Sequence, residues 1–257
     1  NAYSKGRFTL GLGSQIKPHI TKRFSMQWGA PAAQMRELVL AMRAIWANWY
    51  DGTPLEFVGE YYRHTLMTPA FTPEDKEYGA PKVVLAAVGP KMTEVAGEVA
   101  DGMIIHPFST LPYINSVTLP AIEKGLAKAG RTRKDFELSY SSFVVTGRDE
   151  AEFAASKKAA QQRIAFYGST PAYKGVLDSI GVGDLQGELN TMSKQGRWQE
   201  MGTLITDDIL AEFGVIGEPA DIAPQMLERY GSFTDRTSAS FPVSDDAQRG
   251  EIIQALR

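Results

Sequence analysis

The apolar positions of this chain switch between two periods. Residues 7–13, Arg-Phe-Thr-Leu-Gly-Leu-Gly, form a short apolar run closing in two glycines and predict a strand. From Pro31 to Trp49 the positions Met35, Leu38, Val39, Met42, Ile45, Trp46 and Trp49 keep helical spacing and predict one amphipathic helix, its Met and Trp stripe serving as core. Residues 55–63 read as a small hairpin turning near Gly59, and 66–81, with Pro69, Pro73 and Pro81, as a long loop. Residues 82–88 carry successive valines and no polar break after Lys82, which predicts a strand buried on both faces. A helix from Pro90 follows, with Met92, Val95, Ala96 and Val99 on one face.

The second half continues the alternation. Ala100-Asp101-Gly102 marks a turn, 102–108 a strand, 111–129 a helix stopping at Gly130, 136–146 a strand and 150–166 a helix. Between 167 and 210 only helical segments broken by glycines are predicted, an α-helical insertion. A minor strand at 213–217, a helix with Ile222, Met226, Leu227 and Tyr230 on one side, a strand at 233–241 and a terminal helix close the chain. Strands alternating with helices imply parallel βαβ units. Five principal strands do not close a (β/α)₈ barrel, so either the sheet is open or three strands precede Asn1.

Composition removes several function classes. A length of 257 residues with 43% hydrophobic and 22% charged suits one large α/β domain spanning 1–257. A net charge of -3 gives no basic footprint for nucleic acid, and no apolar run suits a membrane span. The absence of cysteine excludes disulfides, thiolate metal sites and a cysteine nucleophile, and no metal site is expected. A cytoplasmic setting fits.

Candidate chemistry gathers at strand ends. In Val88-Gly89-Pro90 the chain passes from strand to helix, and the free amides of that helix start suit an anion such as phosphate, although a plain strand-to-helix corner has the same pattern. Gly11-x-Gly13 is not a dinucleotide fingerprint, because position 16 is Ile and no helix begins at once. His106 ends a predicted strand, where it either faces a ligand or bonds to neighbouring backbone.

Six segments in register resemble the bacterial luciferase-like flavin monooxygenase superfamily, and more narrowly its deazaflavin-dependent oxidoreductase branch. They are Gly-Arg-Phe-x-Leu-Gly-Leu-Gly at 6–13, Ile45-Trp46, Phe57-x-Gly59-Glu60-x-Tyr62, Ala87-x-Gly89-Pro90-Lys91, Ala100-Asp101-Gly102 and Gly217-Glu218-Pro219. The resemblance implies an α/β fold, a (β/α)₈ barrel of the luciferase-like type that lacks its first three strands here, with the helical insertion at about 167–210. It implies cofactor binding by Gly13, Ser14, Ala87, Val88, Gly89, Pro90, Lys91, Met92 and Thr93. Gln15, Lys17, His19 and His106 are candidates for contacting substrate or supporting groups that do. Some relatives place a catalytic carboxylate just past Ser14, but Gln15, Ile16 and Lys17 stand there, so no catalytic residue is assigned.

The implied activity is hydride transfer between coenzyme F420 and an organic substrate. The alternatives are an FMN-dependent monooxygenase that uses O2 and a partner flavin reductase, or an inactive barrel fragment. A small-molecule substrate is the expected partner, and the resemblance implies a homo-oligomer, such as a dimer.

Overall fold

The computed structural model describes residues 1–238, 241–242 and 245–256. The chain divides into two compact units, one of residues 1–104 with 120–137 and one of 105–119 with 138–257.

The first unit holds β1 (Thr9–Leu12), α1 (Pro31–Asp51), β2 (Phe57–Val58), β3 (Arg63–His64), β4 (Lys82–Ala87), α2 (Pro90–Val99), the start of β5 (Gly102–Ile105), and α3 (Leu119–Lys128). β1 and β4 pair in parallel, Thr9 with Lys82 through Leu12 with Leu85, and β5 lies on the other side of β4. Leu10, Leu12, Val83 and Leu85 alternate with Thr9, Gly11, Lys82 and Val84, and Val83, Leu85 and Ala87 are buried while Lys82 and Ala86 are exposed. The expectation that 82–88 is buried on both faces is therefore corrected. Its apolar run reports the residue types on the covered face, while the other face is kept open by small side chains.

α1 begins at Pro31, whose fixed φ suits the first helical position, and ends at Gly52, whose φ of 73° takes the left-handed cap. Its Glu37 reaches the hairpin of β2 and β3, accepting the amides of Glu60 (2.9 Å), Tyr61 (2.6 Å) and Tyr62 (2.6 Å). Burial alone would raise the Glu37 carboxyl, but those three donors and the Arg36 charge outweigh it and hold the group below the usual carboxylate range. α2 and α3 touch through glycines: a Cβ on Gly97 would overlap the carbonyl oxygen of Ile122, and one on Gly125 that of Glu94. Lys124 (2.8 Å) and Lys128 then pair with the Glu94 carboxylate across the same contact.

Asp101 ties the start of β4 down. Its Oδ2 accepts the Val83 amide at 2.8 Å, its own amide donates to the Val83 carbonyl at 2.7 Å, and Arg43 of α1 bonds both Asp101 Oδ2 (3.0 Å) and the Val99 carbonyl (3.0 Å).

The second unit holds β6 (Glu137–Tyr140), β7 (Phe143–Val145), α4 (Glu150–Gly168), α5 (Lys174–Asp178), α6 (Leu185–Lys194), α7 (Trp198–Met201), α8 (Asp207–Phe213), β8 (Gly214–Ile216), α9 (Pro219–Tyr230) and α10 (Asp246–Ala255). The single strand predicted at 136–146 is two strands interrupted at Ser141-Ser142. β7 pairs in parallel with β8, Phe143 with Gly214 through Val145 with Ile216, so the segment expected to be minor is a full partner. Gly214 makes that approach possible, since a Cβ there would overlap the Phe143 carbonyl oxygen.

The strand predicted at 233–241 lies outside the described residues at 239 and 240. Within it, Arg236 forms an isolated parallel bridge with Ser139. Residues 167–210 are helical where regular, and Val176, Leu177, Leu189, Met192 and Met201 are buried, as are Ile164 and Phe213. Asp149 and Thr206 cap α4 and α8 by accepting the amides of Glu152 (2.8 Å) and Ile209 (3.3 Å).

Candidate functional site

In the first unit, register brings two predicted segments side by side. Beyond the last β1–β4 pair, Gly13 lies against Ala86, where an added Cβ would stand 3.6 Å from the alanine methyl. Three residues further along β4 comes Gly89, the residue before α2. Its φ of −76° and ψ of 152° suit any residue, and a Cβ built on it meets nothing within 4 Å. Neither backbone conformation nor protein packing therefore requires glycine here. What glycine provides is open room directly over a helix start.

Among the described residues no side chain caps α2, and Pro90 at its first position carries no N–H. The amides of Lys91 and Met92 are thus the donors at the positive end of the helix dipole. Thr93 serves the turn itself: its amide (3.1 Å) and its buried hydroxyl (3.0 Å) both donate to the Gly89 carbonyl. Ala87 is buried in the covered sheet face, so it reaches the open side through backbone alone, and Val88 is half-buried. The uncapped amides and the empty space at Gly89 fit an anionic head group of a cofactor.

The loop after β1 is held in a defined form. Gln15 takes a left-handed φ of 57°, uncommon for a side chain that size, and its Oε1 lies 3.1 Å from His19 Nδ1. Ser14 Oγ donates to the Gln15 carbonyl (3.3 Å), and Thr21 Oγ1 to the Lys17 carbonyl (2.9 Å). A wide helical turn, His19–Arg23, follows. Gly13, Ser14, Gln15, Lys17 and His19 thus share one continuous segment next to the strand that leads into Gly89.

His106 belongs to the second unit. Its Nδ1 accepts the Phe108 amide at 3.0 Å, which leaves the proton of the neutral ring on Nε2. Tyr167 meets the imidazole edge-on, with centroids 4.6 Å apart, and Tyr173 tilts against it at 5.3 Å. Burial alone lowers its pKa to about 4, so the ring is neutral at physiological pH and offers a donor rather than a charge. Tyr167 and Tyr173 were not among the sequence candidates; they lie in the stretch assigned to the helical insertion, and no local pattern marks a tyrosine that meets a histidine 61 or more residues away.

The chain matches the family model of luciferase-like monooxygenases over residues 1–236. An uncharacterised protein of Mycobacterium tuberculosis (strain H37Rv) is 53% identical over 255 residues, covering 99% of this chain and 75% of that protein. The 5,10-methylenetetrahydromethanopterin reductase of Archaeoglobus fulgidus is 28% identical over 269 residues, covering 100% of this chain and 76% of that one. Among solved structures, the coenzyme F420-dependent tetrahydromethanopterin reductase of Methanopyrus kandleri superposes with a TM-score of 0.74 at 20% identity, over 97% of this chain and 73% of that one. The fold class is the one expected from the sequence, an α/β fold of the luciferase-like barrel type. Among the described residues no helix is long and apolar enough to cross a membrane.

Proposed function

The chain belongs to the luciferase-like monooxygenase family, and from that premise we propose that it is an oxidoreductase exchanging a hydride between coenzyme F420 and a small organic substrate. The observation that carries this reading is the β4–α2 turn, where uncapped amides at Lys91 and Met92 meet open space at Gly89. The F420 dependence of the Methanopyrus reductase supports the deazaflavin over FMN.

When bound, the deazaflavin supplies the hydride chemistry. The chain supplies the rest. Lys91 and Met92 amides hold the phosphate, aided by the helix dipole. Gly13 and Ser14 border the space beside the β1–β4 pair, and the absence of a side chain at Gly13 lets a flat ring approach the backbone. Within the second unit, His106, neutral and protonated on Nε2, offers one hydrogen-bond donor.

Separate fluorescence titrations of the purified chain with F420 and with FMN test the assignment. F420 is expected to bind at least roughly tenfold more tightly, a difference of about 1.4 kcal/mol. Tighter binding of FMN would overturn it.

A further inference from the structure

Positive charge is concentrated at one end of this acidic chain. Residues 1–36 contain Lys5, Arg7, Lys17, Lys22, Arg23 and Arg36 and no Asp or Glu, although the whole chain carries a net charge of -3. Arg36 is paired with Glu98 at 2.6 Å. The other five make no ion pair among the described residues. Lys17, Lys22 and Arg23 are exposed, and all three stand within ten residues of Gly13 on the segment that follows it.

That segment is pre-arranged. The Gln15–His19 contact (3.1 Å), the Thr21 bond to the Lys17 carbonyl (2.9 Å) and the Phe24 amide bond to the His19 carbonyl (2.9 Å) fix its course. The Arg23 guanidinium lies 5.4 Å over the Phe24 ring, which limits its freedom while leaving its donors unpaired. Like charges on one ordered segment repel one another, and an anion with several charges relieves that repulsion. A single phosphate at the α2 start leaves them without a partner.

We propose that Lys17, Lys22 and Arg23 bind the anionic tail of the cofactor, the run of glutamate carboxylates that F420 carries beyond its phosphate and FMN lacks. The inference rests on the F420 reading above and deepens it: the phosphate sits on the α2 amides while the carboxylates continue along the cationic turn after β1. Each contact is an exposed ion pair, so the tail contributes through number and is weakened by salt.

The test is a fluorescence titration with three ligands: F420 bearing a long glutamate tail, F420 bearing one glutamate, and the chromophore lacking phosphate and tail. The long-tailed form is expected to bind most tightly, with the steepest loss on adding salt. The triple variant Lys17→Ala, Lys22→Ala, Arg23→Ala should weaken it by roughly tenfold, flatten its salt dependence and leave the tail-less chromophore unchanged. Lys17→Arg, Lys22→Arg, Arg23→Lys should restore it. Equal affinity for long and short tails, or a triple variant that binds the long tail like the parent, overturns the tail site and leaves the F420 reading standing. Loss of the tail-less chromophore as well would assign these residues to the fold and overturn the inference. Failure of every F420 form to bind the parent chain overturns both.

Discussion

Asp101 and Val83 exchange two hydrogen bonds, the valine amide to the aspartate Oδ2 at 2.8 Å and the aspartate amide to the valine carbonyl at 2.7 Å. The second unit repeats the device: Leu138 donates its amide to Asp235 Oδ2 (2.7 Å) and accepts from the Asp235 amide (2.9 Å). In each case an aspartate completes the pairing of a strand's buried residue.

Replacing Asp101 with Ala strands the amide of Val83, a fully buried residue, and frees Arg43. The cost is expected at about 2 kcal/mol, read from urea denaturation midpoints. Asp101→Asn, which keeps an acceptor, should recover a good part of it. An alanine variant as stable as the parent would show that water replaces the bond.

Gly125 leaves no room for a methyl. In Gly125→Ala the new carbon meets the backbone of Glu94 and Glu98 rather than a side chain that can swing away. A loss of roughly 2–3 kcal/mol is expected from overpacking. Gly187, in α6, has open space around its Cβ position, so Gly187→Ala should be neutral or gain up to about 1 kcal/mol. Similar denaturation midpoints for the two variants would contradict this packing.

Gly89→Val separates binding from folding. With φ at −76° and no neighbour within 4 Å, the valine should leave the thermal midpoint unchanged. Cofactor affinity should fall by about tenfold or more, because the side chain takes the space over the α2 amides. A variant that binds F420 and FMN as the parent does removes the turn from the site.

His106 makes stability depend on pH. Its folded pKa of about 4 lies below the ordinary 6.5, so between these values the unfolded chain takes up a proton that the folded chain refuses. The stability is fully present above pH 6.5 and is lost as the pH falls toward 4, by roughly 3 kcal/mol at the acid end. The difference in unfolding free energy between parent and His106→Phe should therefore change across this window and stay flat above it. Parallel profiles from pH 4 to 7 would mean the ring titrates normally.

The sequence disclosed what short-range chemistry decides. Pro90 marks the start of α2 because its fixed φ acts on its own backbone. It did not disclose that β4 is covered on one face only, since valine and alanine look alike on covered and open faces. The break at Ser141-Ser142 is set by different partners on its two sides, Arg236 before it and β8 after it. The glycines of 167–210 mark breaks between helical segments but give no sign that Val176, Leu177 and Leu189 are fully buried. Contacts among distant residues decide burial, and no local pattern carries them. Tyr167 and Tyr173 escaped notice at His106 for that reason.

The Glu37 clasp on the hairpin has a consequence for how this protein tolerates sequence drift. The carboxylate grips three successive backbone amides, and every residue but proline offers one. The clasp is therefore indifferent to which side chains occupy 60, 61 and 62. Positions 37 and 59 have no such freedom, because a shorter acid at 37 cannot span the gap and a Cβ at 59 would overlap the Glu37 carboxylate. The loop can be rewritten at its tip, exchanging one surface chemistry for another, while a glutamate 23 residues or more upstream keeps its shape.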